Sequence, residues 1–307
     1  MKSQTKFVFL LRNRIKMEIE LKNHIGYDGY PENSVRFFND DKLINEECHI
    51  FDNQYACAED IADRVFLNAK NKVTNFYVDY DCGDIQRIFV TIVFNNGEDV
   101  CHGEISSVIP EKRLIKISVR LNYPLLVERG EQEAKNIIAT TVIHELMHGN
   151  IFMKRKLSGK DIDDIPENYG KILKNVIRNG QIDSDTYFFA RALYLSYYQE
   201  TQAMVSQGWK EVKNRMEMYG EEYTKENFKW AFRGTPVYYD FSSALNTCRK
   251  MLKNQRIKTR VFNCLNENEI TFKDNERVLN KTYKKLENAI RKLINSCYYY
   301  FIKQQQD

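Results

Sequence analysis

The stretch Ile137-Ile-Ala-Thr-Thr-Val-Ile-His-Glu-Leu-Met-His-Gly149 decides how the rest of the chain is read. Wound as a helix, it places Ile137, Thr141, His144 and His148 on one face and Ile138, Val142 and Leu146 on another. A helix that is apolar on nearly every side belongs inside a protein, so the pattern predicts a buried helix from about Glu131 to Lys154. Two histidines and a glutamate there are costly unless something pairs with them. His144 and His148 stand at i and i+4, about 40° apart around the axis and about 6 Å along it, so both imidazoles can point at one metal ion. Glu145 lies about 100° round from His144, badly placed to ligate beside both rings but close enough to take a proton from water at the ion. The chain has only five histidines. Its composition predicts about 0.01 chance occurrences of H-E-x-x-H.

A site of this kind needs a third protein donor if one tetrahedral corner is to stay open. No histidine follows His148, so the third donor is expected to be a carboxylate. Glu200, in Tyr197-Tyr-Gln-Glu-Thr-Gln-Ala-Met204, is the leading candidate. Phe189, Leu193, Tyr197, Ala203 and Met204 surround it at helical spacing, which makes it a charge in an apolar stripe in need of a cation. Zn2+ is the ion that two histidines and one carboxylate suit.

Upstream of the decisive helix the chain reads as mixed strand and helix. Ile15, Met17, Ile19 and Leu21 alternate with charged residues and predict a strand, followed by a polar, turn-rich stretch from Asn23 to about Asp52. Ile61, Ala62, Val65, Phe66 and Ala69 predict a helix with Glu59 and Asp60 in its first turn. Ile88 to Phe94 is apolar on both faces and predicts a strand covered on both sides. A shorter strand around His102 to Ser107 and an alternating one from Ile115 to Leu121 complete one sheet. Beyond Pro124 and Gly130 only helices are expected: Glu167 to Arg178, Asp185 to Met216 with a break at Gly208, Glu221 to Phe232, Tyr239 to Lys253 and Asn275 to Ile302.

Composition sets outer bounds. With 307 residues and 43% of them apolar, the chain has enough material for a large core and does not fall in the disordered class. Leaving tyrosine aside, its longest apolar run, Phe7 to Leu11, is far shorter than the roughly 20 residues that span a bilayer. That run is also too short for the core of a signal peptide, so no membrane and a cytoplasmic location are expected. The seven scattered cysteines contain no C-x-x-C pair and fit a reducing compartment. From Arg249 onward 14 basic residues face 6 acidic ones, which describes a solvated basic helical face better than a nucleic-acid surface. No helix-turn-helix, zinc ribbon or aromatic-basic motif is present, so nucleic acid is not an expected partner.

In His144, Glu145, His148 and the later Glu200-x-x-Ala203, the chain resembles a zincin metallopeptidase of the gluzincin type. The likeness covers roughly residues 85 to 210, where sheet, H-E-x-x-H helix and glutamate helix follow in that family's order. It implies an α+β fold. An N-terminal α+β lobe, residues 1–130, would pack its mixed sheet and helices on a helical lobe, residues 131–307, that carries the metal-binding helices and basic C-terminal helices. It also implies zinc on His144, His148 and Glu200, with Glu145 as general base in peptide-bond hydrolysis. A polypeptide substrate would lie extended along the edge segment His102 to Ser107, with Ile115 to Leu121 inside the sheet. Asp240, in Gly234-Thr-Pro-Val-Tyr-Tyr-Asp240, ranks second as third ligand, because some zincins use an aspartate after a Gly-Thr segment.

Two features depart from the family. Met204 stands where an aspartate four residues after the glutamate would support a ligand histidine. No downstream histidine can stabilise an oxyanion, so that role falls to a tyrosine, to His102 or to an arginine; of Tyr197, Tyr198, Tyr238 and Tyr239, Tyr197 ranks first. Two rival functions stand beside the peptidase. One is a structural or assembly protein that keeps the scaffold without proteolysis and enters a larger complex; the abundant Asn, Lys, Ile and Tyr suit an AT-rich genome such as a phage's, which would place it in a virion. The other is a regulatory protease acting on one partner protein.

Overall fold

Gln54, Cys57, Ala58, Ile61, Ala62, Val65 and Ala69 return every three or four residues, and in the computed structural model they form the buried stripe of helix α1 (Asp52–Lys70). The structure describes residues 52–82, 84–97, 100–159, 182–222 and 224–303, all within one unit. The strand expected at Ile15 to Leu21, the polar stretch after it and the helix expected at Glu167 to Arg178 lie outside the described residues. Helix α1 begins well before the apolar cluster that announced it. Glu59 and Asp60 are therefore interior to the helix rather than in its first turn, and they pair with Lys210 and Arg64.

Four strands follow: β1 (Asn75–Cys82), β2 (Ile85–Phe94), β3 (Cys101–Ile109) and β4 (Leu114–Leu121). They form one mixed sheet in the order β1-β2-β4-β3. β2 and β4 run parallel in the centre, while β1 and β3 pair antiparallel on either side. The segment expected at the edge is thus an edge strand among the described residues, and Ile115 to Leu121 is interior. The register aligns Ile88, Val90 and Ile92 with Ile115, Ile117 and Val119, so one face of the sheet is continuous hydrocarbon. The other face is not covered as the apolar run of β2 suggested, since Phe89 and Thr91 are half-buried and Val93 is 38% exposed. Strand β1 escaped the sequence reading because the aromatic Tyr77 on its exposed face blurs the alternation of the inward Phe76, Val78 and Tyr80.

After a short helix α2 (Tyr123–Glu128), helix α3 (Glu131–Leu157) crosses the buried face of the sheet. Glu131 and Glu133 occupy its first turn and Lys154 to Lys156 its last, which suits the helix dipole. Ile138, Ala139, Val142, Ile143 and Leu146 join α1 and the sheet in one core. Two glycines set how closely α3 approaches. A Cβ on Gly149 of the helix would lie 2.8 Å from Ile115 Cδ1, and one on Gly103 of β3 would lie 2.5 Å from Glu145 Cγ and 2.9 Å from Thr141 Cγ2. Gly103→Ala should therefore push Glu145 out of place and cost about 1–3 kcal/mol in a denaturant titration.

The remaining elements are helical: α4 (Ser184–Leu195), α5 (Tyr198–Tyr219), α6 (Lys225–Arg233), α7 (Pro236–Lys253), α8 (Gln255–Glu267) and α9 (Asn275–Lys303). The expected long helix from Asp185 breaks at Ser196 and Tyr197 and not at Gly208. Gly208 sits inside α5 at a close packing point, where a Cβ would find Leu293, Val237 and Cys297 at 3.5 Å. Helix α8 was not expected, because its apolar residues, Ile257, Val261, Phe262, Cys264 and Leu265, stand among a polar majority. Part of the basic C-terminal surplus is used internally: Arg260 pairs with Asp183 at 3.3 Å and with Asp185 at 2.5 Å.

Candidate metal centre

The break at Tyr197 shapes the site. Tyr197 has extended backbone, φ −80° and ψ 137°, and is the N-cap of α5, which places Glu200 in the first turn of a new helix. A carboxylate at that end is favoured by the unpaired N–H groups and the dipole. Glu200 thereby faces the H-E-x-x-H turn of α3, with Oε1 3.2 Å from His148 Nε2 and Oε2 3.6 Å from His144 Nε2. The two Nε2 atoms are 3.1 Å apart. Among the described residues these three side chains form the group whose donor atoms converge, all within 4.8 Å.

The spacing carries chemical meaning. Donors at the corners of a zinc-sized tetrahedron, with bonds near 2.0–2.1 Å, are about 3.3 Å apart. The two Nε2 atoms, 3.1 Å apart, and the 3.2 Å from His148 Nε2 to Glu200 Oε1 lie near that edge, while the 3.6 Å approach to His144 Nε2 is made by the other carboxylate oxygen. Glu200 is only 2% exposed, and its Oε2 is buried without a well-formed hydrogen bond, as is His148 Nδ1. A buried anion with spare lone pairs facing two imidazole nitrogens is a donor set that a cation completes.

The electrostatics point the same way. Burial, reinforced by His148, drives the His144 pKa down to about 3, so this ring is neutral and keeps one unprotonated nitrogen. For Glu200, burial opposes ionisation, but the two histidines and the Tyr194 hydroxyl outweigh it and hold its pKa below the usual carboxylate value. For His148, burial opposes the charge, yet Glu200 and Glu145 overcome it and raise the pKa.

Glu145 is 9% exposed and lies beneath β3, where its carboxylate accepts the Ile105 backbone N–H. Burial raises its pKa to about 7, against the pull of His148. That value suits a group that exchanges protons near neutral pH. Phe152 stacks on His148, with ring centroids 5.7 Å apart at 18°.

The structure brings together His144, Glu145, His148 and Glu200. Tyr197 stands at the head of α5 with the Lys285 ammonium 5.7 Å from its ring centroid. Tyr194, at the end of α4, is close enough to Glu200 for its hydroxyl to help hold that carboxylate ionised. On an unbroken helix Tyr197, three residues before Glu200, shares its face, whereas Tyr194 lies about 120° away. The break removes that constraint. Arg191 packs beside Tyr194, its guanidinium 5.2 Å from the ring centroid, and its Nη2 and Nε donate to Asp240 Oδ2 at 2.6 and 3.1 Å. Asp240 is therefore engaged with Arg191 and is not among the converging donors. His102 is exposed on β3, opposite Arg120 of β4.

Fold and site together define a mixed α/β chain with a four-stranded mixed sheet, a largely helical remainder and a His-His-Glu group able to hold a metal ion. Compared with protein-family models, curated proteins and solved structures, the chain matches none. No helix among the described residues is long and apolar enough to cross a membrane.

Proposed function

We propose that the chain is a zinc-dependent, zincin-like peptidase that hydrolyses peptide bonds in polypeptides. The observation that supports this most strongly is the convergence of donor atoms from His144, His148 and Glu200 within 4.8 Å of one another, with Glu145 beside His144 on the same helix. His144 and His148 would hold the ion through Nε2 and Glu200 through its carboxylate. When bound, zinc supplies a Lewis acid that polarises an amide carbonyl and lowers the pKa of water.

The chain's own residues do the rest. Glu145, buried and poised near neutrality, receives the proton of an attacking water and passes it to the leaving amine. Tyr194, the buried phenol beside Glu200, would have to turn its hydroxyl away from that carboxylate to meet a developing oxyanion. Strand β3, immediately above Glu145, presents an edge to which an extended peptide can add by main-chain hydrogen bonds.

The test is cleavage of an unfolded protein by the purified, zinc-loaded chain. Activity should disappear with a chelator and return with zinc; inertness toward unfolded polypeptides at full zinc occupancy would overturn the peptidase reading. Two variants separate the proposed third ligands. Glu200→Ala should lose stoichiometric metal by elemental analysis. Asp240→Ala should retain it, while leaving Arg191 uncompensated at a cost of about 1–3 kcal/mol of stability.

A further inference from the structure

A ligand imidazole that gives one nitrogen to a metal must place its other N–H on an acceptor, and that acceptor fixes the ring. His144 Nε2 faces His148 and Glu200, which leaves Nδ1 for such support. That Nδ1 is buried with no well-formed hydrogen bond among the described residues. Besides His148, Gln207 of α5 is a hydrogen-bonding neighbour that acts on the His144 ring. Glu200, Gln207 and Glu211 are spaced by seven and then four residues, so they fall within about 20° of one helical face. The line that begins with a proposed ligand thus continues along the same helix as an amide and a second carboxylate.

This line is anchored at its far end. Gln207 Nε2 donates to Glu211 Oε1 at 2.9 Å, and Glu211 Oε2 accepts the Val237 backbone N–H at 3.2 Å in the first turn of α7. With its amide nitrogen committed to Glu211, Gln207 has its carbonyl oxygen left for an imidazole N–H. Both Glu211 oxygens are likewise committed, one to the Gln207 amide and one to a helix N-terminus that favours an anion. Met204, one turn after Glu200 on the same helix, offers only a weakly accepting thioether sulfur.

We propose that Gln207 and Glu211 are positioning residues for His144: Glu211 holds the Gln207 amide, and the Gln207 carbonyl oxygen accepts a hydrogen bond from Nδ1–H when the site takes up zinc. This rests on the metal reading above. It assigns to this chain an amide backed by a carboxylate as the support for a ligand histidine.

The experiment is zinc affinity of the full chain, measured against a chromophoric chelator, for wild type, Gln207→Met, Glu211→Gln and the double variant. Methionine keeps the length of glutamine in the helix without its carbonyl oxygen, and glutamine at 211 keeps the volume but offers one acceptor to two donors. Unfolding of the metal-free proteins confirms that each variant is folded. Gln207→Met should weaken zinc binding about 10- to 100-fold. Glu211→Gln should weaken it by less, and the double variant should be no weaker than Gln207→Met alone, as members of one relay are not additive. The visible spectrum of the cobalt form should shift in Gln207→Met, reporting a reoriented ligand. Affinity within twofold of wild type for Gln207→Met, or effects that multiply in the double variant, would overturn the relay. An unchanged Glu211→Gln removes Glu211 from it. If wild type itself binds no zinc, the metal reading fails and this proposal fails with it.

Discussion

Glu145→Gln should bind zinc as wild type does and hydrolyse peptide about 10²- to 10⁴-fold more slowly, the span that loss of a positioned general base produces. The substitution is conservative in volume. Glu145 is buried against Gly103 and Thr141, and glutamine fills the same space. It still offers an oxygen to the Ile105 N–H, so β3 keeps its seat on α3. What it loses is basicity. Because the ligands are the side chains on either side in the motif, metal content by elemental analysis should stay at the wild-type ratio. Unchanged turnover would take Glu145 out of the chemistry, whereas loss of metal would mean that Glu145 holds the ion and does not serve water.

His148→Ala should show the largest loss of metal. It removes one of three donors, and since altering only the partner of a ligand costs about 10- to 100-fold, removing the ligand itself should exceed that range. His144 Nε2 and Glu200 Oε1 would be left facing the gap that the imidazole filled, and Phe152 would lose its stacking partner. The same ring sets the pH dependence of binding. Glu200 and Glu145 raise the His148 pKa against the effect of burial, so its proton is held more tightly than in an ordinary histidine. Metal needs the neutral ring. Affinity should therefore fall as pH drops through the His148 titration and recover as pH rises, which chelator competition across pH 5 to 8 can follow. Binding that is flat over that range, or stoichiometric zinc in His148→Ala, would contradict ligation by this ring.

The sequence was legible wherever a local period carried the information. His144, Glu145 and His148 sit on one unbroken helix, where 100° per residue fixes their mutual directions before any packing is known. The burial of that helix followed from its apolar circumference, and the carboxylate nature of the third donor followed from the absence of any histidine beyond His148. The alternation of Ile115, Ile117 and Val119 gave β4 in the same way. Strand β1 and helix α8 were missed because each blurs its period, β1 with an exposed Tyr77 between Phe76 and Val78 and α8 with a polar majority around Ile257, Val261 and Leu265.

Tertiary structure decided everything that crosses a break. The chain turns at Ser196 and Tyr197, and this turn carries Tyr194 onto Glu200 while placing Tyr197 beside Lys285. No angular rule reaches across such a turn, since the direction of the next helix is set by what it packs on. Pairing of Arg191 with Asp240 and the order β1-β2-β4-β3, with β3 over Glu145, arise for the same reason. Helical and strand periods are properties of consecutive backbone, so they are written in the sequence; the meeting of α3, α4, α5 and α7 around one group of donors depends on contacts between residues far apart in the chain, and those only the folded molecule reveals.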